Sequence, residues 1–162
     1  MKSARFAEIL ELLVDREVEF IVVGMTAGVL AGAPVTTLDV DIVHRRSPEN
    51  AERLLRALQE MHAVYRHDPR RLEPATKHLL SPGHQLLTTD HGDLDCLGTI
   101  DDGKSYEDLL PSVRTIALAE GRTVSVLQLS TLIEIKRRAG RPKDLAALPV
   151  LEATLDERTR RR

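Results

Sequence analysis

A chain of 162 residues that is 42% hydrophobic and 30% charged has the size and composition of about one globular domain, and we expect residues 1–162 to form a single domain. The formal net charge of −2 gives no general attraction to polyanions, and an aromatic content of 2% argues against a base-stacking platform for single-stranded nucleic acid. The single cysteine, Cys96, excludes an internal disulfide and a cysteine-based zinc site, and its apolar neighbours indicate a buried core position.

No signal-peptide pattern is visible at the N-terminus, where charged residues interrupt any apolar run. No stretch of the sequence approaches the roughly 20 apolar residues that a membrane-spanning helix needs. We therefore expect a cytoplasmic protein that does not enter a membrane.

The first half of the chain shows both helical periodicity and β-branched runs. In chain order it is predicted to contain a helix over 3–15, a strand over 18–23, a short helix over 25–32, a strand over 37–43 and a helix over 48–62. Ser47 is the predicted N-cap of the last of these helices, with Pro48 at its first position.

The second half begins with a proline-rich, charged segment over 66–83, predicted to be irregular with at most one helical turn. It is followed by predicted strands over 84–89 and 94–100, a short helix over 105–110, strands over 113–118 and 123–127, a helix over 130–139 and a last helix that begins at 142. Ser130 is the predicted cap of the penultimate helix and Gly140 its end. The pattern predicts an α/β fold in which helices flank a mixed β-sheet.

Two carboxylates one residue apart stand out in the sequence Thr-Leu-Asp-Val-Asp-Ile-Val over 37–43. In a strand, Asp39 and Asp41 project from the same face. Burying two ionised carboxylates costs several kcal/mol each unless a cation neutralises them, and Mg²⁺ is typically held by one or two carboxylates together with substrate phosphates. The alternative is an edge strand with two solvated aspartates.

Two further features support a metal and phosphate site. Gly24, at the turn from a strand into a helix, allows backbone N–H groups to approach a phosphate, although such a glycine is often only a tight corner. Asp95, a single acid within an apolar strand, is the preferred third carboxylate. Asp93 shares its strand face but adjoins the predicted turn, and a structural role for Asp95 at a strand end remains open.

A basic cluster near the C-terminus supplies candidate phosphate contacts. Lys136 is the best of them, because its apolar neighbours place its helix partly against the core. The alternative is an ordinary solvated helix face. Arg45 and Arg46, which follow the paired aspartates, are the second option.

The four blocks together resemble the nucleotidyltransferase superfamily with the DNA polymerase β-like fold. The blocks are Ile-Val-Val-Gly at 21–24, Thr-Leu-Asp-Val-Asp at 37–41, Leu-Asp-Cys at 94–96, and Lys136 followed by Arg-Pro-Lys-Asp-Leu at 141–145. The chain is similar to small bacterial proteins related to the toxins of type IV toxin–antitoxin systems, and the resemblance covers residues 15–150. It implies a minimal nucleotidyltransferase fold.

The resemblance also implies roles for individual residues. Gly24, with Met25 after it, would bind the phosphates of an NTP substrate. The carboxylates of Asp39, Asp41 and Asp95 would be catalytic and would hold two Mg²⁺ ions. Lys136 and Lys143 would contact the triphosphate, with Asp144 as an orienting partner. The acceptor would be a hydroxyl of RNA, such as tRNA, or of a protein, and an antitoxin is an expected partner.

Two departures from the family pattern leave other functions open. Met25 stands where the family usually has Gly or Ser, and Ala147 stands where related chains often carry a second acid. The alternatives are a catalytically lapsed member that binds a nucleotide or a partner protein, and a metal-dependent phosphoester hydrolase that uses the same carboxylates.

Overall fold

The computed structural model describes residues 5–162, so positions 3 and 4 of the predicted first helix lie outside the described part. Its helices are α1 (Phe6–Asp15), α2 (Gly24–Leu30), α3 (Pro48–Glu60), α4 (Thr76–Leu79), α5 (Tyr106–Leu109), α6 (Leu129–Ala139) and α7 (Pro142–Arg160). Its strands are β1 (Phe20–Val23), β2 (Asp39–His44), β3 (Val64–Tyr65), β4 (His84–Thr89), β5 (Gly92–Leu97), β6 (Val113–Ala117) and β7 (Thr123–Leu127). Short 3-10 turns at Leu110–Ser112 and Ala119–Gly121 complete the described elements.

The strands form one mixed sheet in the order β3-β4-β5-β2-β1-β7-β6. β2 pairs antiparallel with β1 on one side and parallel with β5 on the other. β1 also pairs in parallel with β7, and antiparallel pairs β3–β4, β4–β5 and β6–β7 complete the sheet. The predicted fold class, a mixed sheet with flanking helices, is confirmed.

The centre of the sheet is built from β-branched residues. All four residues of β1 are buried, as expected for a strand with neighbours on both sides. This strand begins two residues later than predicted because the amide of Val18 donates to Leu13 O and so belongs to the turn after α1. Cys96 is 0% exposed on β5, which confirms its predicted place in the core.

Local signals placed several helix ends correctly. Ser47 caps α3, its Oγ accepting from the amide of Asn50 at 3.2 Å, and Pro48 is the first helical residue. Gly140, with φ of +64°, ends α6 as predicted. The predicted cap at Ser130 is wrong: α6 begins at Leu129 without a side-chain cap, because this start buries Leu129 on the face that carries Leu132 and Ile133.

Two other differences from the predicted elements concern the strands. The strand predicted over 94–100 ends at Leu97, because its partner β4 begins at His84, opposite that residue. The two-residue strand β3 was not predicted, and the helical turn expected within 66–83 is α4. In the C-terminal direction α7 continues through Arg160. None of the helices described over 5–162 is long and apolar enough to cross a membrane.

Candidate active site

The paired aspartates lie on one face of β2, as the alternation predicts. Their neighbours Val40 and Ile42 point to the opposite face and are 0% exposed. The two carboxylates are therefore held on a strand whose other face is anchored in the core. Thr26 fixes the adjoining helix α2 to this strand through a hydrogen bond from its Oγ1 to Asp39 O at 2.8 Å.

The parallel pairing of β2 with β5 brings two more carboxylates beside the first pair. Asp39 lies opposite Asp93, and Asp41 lies opposite Asp95. Because each aspartate of β2 lies directly opposite an aspartate of β5, all four carboxylates share one face of the sheet. Sequence analysis preferred Asp95 over Asp93, whereas the structure places both acids in the cluster. We refer to Asp39, Asp41, Asp93 and Asp95 as the acidic cluster.

Two carboxyl groups of the acidic cluster, those of Asp39 and Asp41, have raised pKa values. Burial, a hydrogen bond with Asp95 and the negative charges of Asp95 and Asp39 raise the pKa of Asp41 to about 8, although Lys136 opposes the shift. Burial and the charge of Asp95 also raise the pKa of Asp39, and Arg66 acts in the opposite direction. A cation bound between these two carboxylates would favour their ionised forms, and carboxylate oxygens are the donors that Mg²⁺ prefers. The donor chemistry of Asp39 and Asp41 therefore fits the metal that the sequence predicts.

One cation of the chain itself already lies in the acidic cluster. Arg66 Nη1 is 3.0 Å from Asp93 Oδ2 and 3.5 Å from Asp39 Oδ1, and Nη2 is hydrogen-bonded to Asp95 Oδ1. The Arg66 side chain is only 13% exposed. Although burial acts to lower it, the pKa of Arg66 is raised by its bonds with Asp93 and Asp95, so the guanidinium stays charged.

Sequence analysis missed Arg66 because it lies in the segment predicted as irregular. Its backbone is positioned by the edge of the sheet: it follows β3 directly, and its amide donates to Leu86 O on β4 at 2.9 Å. No local motif marks this residue as part of the site. Only the pairing of β3 with β4 and of β4 with β5 brings it over the carboxylates.

Gly24 lies at the bottom of the site, where β1 turns into α2. It has φ of +62°, a conformation that glycine adopts without strain. A Cβ at this position would lie 3.0 Å from Asp41 Cγ and closer still to its Oδ2. Only glycine therefore permits the backbone to approach the Asp41 carboxylate this closely.

Basic side chains from the segment between the end of α6 and the start of α7 also reach the site. Lys136 Nζ is 3.4 Å from Asp144 Oδ1, and Arg141 Nε is 2.6 Å from Asp144 Oδ2. Asp144 is buried, and although burial tends to raise it, its pKa is lowered by the bond with Arg141 and the charge of Lys136. Lys143 is exposed, and its charge opposes the rise in the pKa of Asp39 without reversing it.

A cavity of about 740 Å³ joins these groups, a size typical of small-molecule sites. Its lining includes the carboxylates of Asp39 and Asp41 and the ammonium groups of Lys136 and Lys143, together with Gly24 and Met25. The rest of the wall includes His84, Leu97, Ile100, Asp101, Asp102, Leu127, Leu132, Ile135, Arg138, Arg141 and Asp144. The cavity thus brings together the four residues to which the resemblance assigns phosphate binding, Gly24, Met25, Lys136 and Lys143.

Asp95 is the exception among the predicted site residues, since it does not line the cavity and is instead covered by Arg66. Across residues 5–162, no three His, Cys, Asp or Glu side chains are arranged around a common metal position. The second phosphate-binding option is not supported: Arg45 follows the far end of β2 and pairs there with Glu19 and Glu107.

No protein-family model and no curated protein sequence matches this chain. Solved structures do resemble it. A Thermotoga maritima protein assigned as a nucleotidyltransferase has a TM-score of 0.57 and 21% identity, covering 94% of this chain and 93% of that one.

Two further structures belong to proteins connected with antibiotics. The lincosamide antibiotic adenylyltransferase LnuA, with lincomycin bound, has a TM-score of 0.59 and 15% identity over 95% of this chain and 99% of its own. The antibiotic-resistance factor ANT(2'')-Ia has a TM-score of 0.55 and 15% identity over 93% of this chain and 82% of its own. The chain described here therefore has the nucleotidyltransferase fold.

Proposed function

We propose that this protein is a Mg²⁺-dependent nucleotidyltransferase that moves NMP from an NTP to a hydroxyl group and releases pyrophosphate. One observation carries the proposal. The cavity is lined by two carboxylates, Asp39 and Asp41, and by two ammonium groups, Lys136 and Lys143. A triphosphate with its metal needs this combination of anionic ligands for the metal and positive charge for the phosphates.

Asp39 and Asp41 would hold the metal, with Asp95 as the third carboxylate of the predicted set. When bound, the metal supplies positive charge to the α-phosphate and to the leaving pyrophosphate. The elevated pKa values of Asp39 and Asp41 support this role, because a bound cation offsets both the burial and the carboxylate repulsion that raise them.

The remaining steps belong to the residues of the chain. Lys136, oriented by Asp144, and Lys143 would bind the phosphates, and Gly24 would let them approach the backbone of the β1–α2 turn. Asp95 would accept the proton of the acceptor hydroxyl. A bond then forms between the acceptor oxygen and the α-phosphorus, the bond from that phosphorus to the bridging oxygen breaks, and the electron pair leaves with pyrophosphate.

The acceptor is proposed to be a hydroxyl of RNA, including tRNA, or of a protein, as in a toxin-type enzyme that an antitoxin partner would restrain. A small hydroxyl compound is the second candidate. Its support is the likeness to LnuA, a lincosamide adenylyltransferase.

The test is transfer of label from each α-labelled NTP to pools of total tRNA, cell protein and small hydroxyl compounds. We expect one NTP to label one pool in the presence of Mg²⁺, and Asp41→Asn to abolish labelling. Asp102→Asn is the matched control, because it removes a carboxylate of the cavity wall that does not belong to the acidic cluster. This variant should still transfer label to the acceptor. Full labelling by Asp41→Asn would refute the mechanism.

A catalytically lapsed protein is the competing function, and Met25 is its support, because this side chain lines the cavity beside Gly24. Calorimetry with each NTP separates the two. A transferase should bind one NTP in a Mg²⁺-dependent manner, whereas a lapsed site should show metal-independent binding or none. Release of phosphate or NMP without a labelled acceptor would instead indicate a phosphoester hydrolase.

A further inference from the structure

The acidic cluster has two parts that differ in what neutralises them. Asp39 and Asp41 open into the cavity, whereas Asp95 is covered by Arg66, whose guanidinium also contacts Asp93 and Asp39. A metal ion that bridged Asp39 and Asp95 would have to lie between these two carboxylates, where the guanidinium of Arg66 already contacts Oδ1 of each. The guanidinium and such an ion exclude one another by space and by charge.

Several contacts hold Arg66 in this position. Its amide is bonded to Leu86 O at 2.9 Å, its side chain is 13% exposed, and Asp93 supplies a partner that lies outside the predicted set of three carboxylates. A planar guanidinium with several donors matches a group of carboxylates better than a single ammonium charge does. Arg66 is therefore held by β3, which it follows, and by β4, to which its amide is bonded, so that its side chain is part of the site and not a mobile surface group.

We propose that Arg66 takes the cation position between Asp39 and Asp95, so that the protein binds one divalent ion, at Asp39 and Asp41, instead of the two that the family resemblance implies. This inference rests on the proposed function and specifies its metal requirement. Arg66 acts as a positioning residue: its guanidinium holds the side chain of Asp95 in one place through their hydrogen bond.

The experiment counts the ions bound to the purified full chain. Mn²⁺ alone is titrated into the protein, and free Mn²⁺ is followed by electron paramagnetic resonance. We expect one ion per chain for the wild type and two for Arg66→Gln, since removing the guanidinium opens the Asp39–Asp95 position. Arg70→Gln is the matched control: it removes the same charge from an exposed arginine that pairs with Asp68, and it should still bind one ion.

Each result decides the proposal. Two ions on the wild type, or one on Arg66→Gln, would overturn it. No binding by either protein would overturn it as well, together with the metal dependence of the proposed function. If the wild type binds two ions and also transfers label to an acceptor, the role proposed for Arg66 is wrong and the proposed function stands. Thermal unfolding shows whether Arg66→Gln is folded, and if it is not, the wild-type count decides alone.

Discussion

Asp41 lies directly opposite Asp95 in the parallel pairing of β2 and β5. Burial and the interaction with the Asp95 carboxyl raise the pKa of Asp41 to about 8. A carboxyl group with this pKa is mostly protonated at neutral pH, so a cation that binds Asp41 must displace its proton. Proton binding and cation binding at Asp41 therefore compete.

The first prediction follows from the raised pKa of Asp41. Its pKa is 3.8 in the unfolded chain and about 8 in the folded one, so the folded state binds the extra proton between these values. The stability that this proton provides is fully present below pH 3.8 and is lost as the pH rises through about 8. In EDTA, Asp41→Asn should remove this dependence and be more stable than the wild type at pH 9 by about 3 kcal/mol.

Urea denaturation at pH 4 and at pH 9 measures this difference. At pH 4 the two proteins should differ little, because Asp41 is then protonated in the folded state and resembles asparagine. An advantage of Asp41→Asn that is the same at both values would show that packing, and not ionisation, causes it.

The second prediction concerns the close approach at Gly24. Gly24→Ala should lower the free energy of unfolding by about 3 kcal/mol, because it combines a strained φ with a collision against the Asp41 carboxylate. Gly121→Ala is the matched control, since Gly121 has φ of +76° with no atom within 4 Å of an added Cβ. That variant should lose only about 1 kcal/mol, from the strained backbone alone. Equal losses in urea denaturation would show that the collision is relieved by movement of Asp41.

The third prediction separates Lys136 from its exposed neighbour. Lys136→Gln should weaken binding of the NTP that labels an acceptor by about 10- to 100-fold, the value of one or two hydrogen bonds to a charged group. Arg137→Gln removes an equal charge from the next residue, which pairs with Glu152 on the surface, and should change affinity less than about twofold. Calorimetry with Mg²⁺ present measures both, and similar losses would mean that only general charge matters.

The fourth prediction tests the hydrogen bonds that hold the C-terminal end of β2 to the start of α3. The buried side chain of Asn50 accepts from Glu19 N at 2.7 Å and donates to Glu19 O and Arg45 O at 2.9 and 2.8 Å. Asn50→Ala removes the partner of Glu19 N and of Arg45 O, whereas Glu19 O keeps its bond from the amide of Arg45, and the change should cost about 3 kcal/mol of stability. Ser47→Ala at the same helix start should cost about 1 kcal/mol, the usual value of an N-cap. Both are measured by the urea midpoint, and equal costs would contradict the assigned bonds of Asn50.

Local patterns in the sequence were sufficient for the central part of the site. Alternation between acids and apolar residues placed Asp39 and Asp41 on one face of a strand, and glycine after a β-branched run placed Gly24 at its turn. Lys136 was chosen because its helix is partly apolar, and this helix does pack on the core through Leu132 and Ile133. These features depend on residues only a few positions apart.

The rest of the site depends on contacts that no local pattern encodes. β3 has two residues and exists only because it pairs with β4, so its following residue, Arg66, had no recognisable place before the sheet was known. The strand register likewise decides that Asp93 faces Asp39. A sequence window shows that an acid can lie on a strand face, but not which acid of another strand lies opposite it.

The parallel pairing of β2 with β5 also affects how the chain folds. Asp41 and Asp95 meet only when this long connection closes, and pairings between distant segments form slowly. Repulsion among the carboxylates therefore opposes the closure of this connection. Arg66 lies within the connection that closes, so the chain delivers the neutralising charge together with the acids that need it. Folding of the metal-free chain should accordingly be slowest in alkaline solution, and divalent cations should speed it.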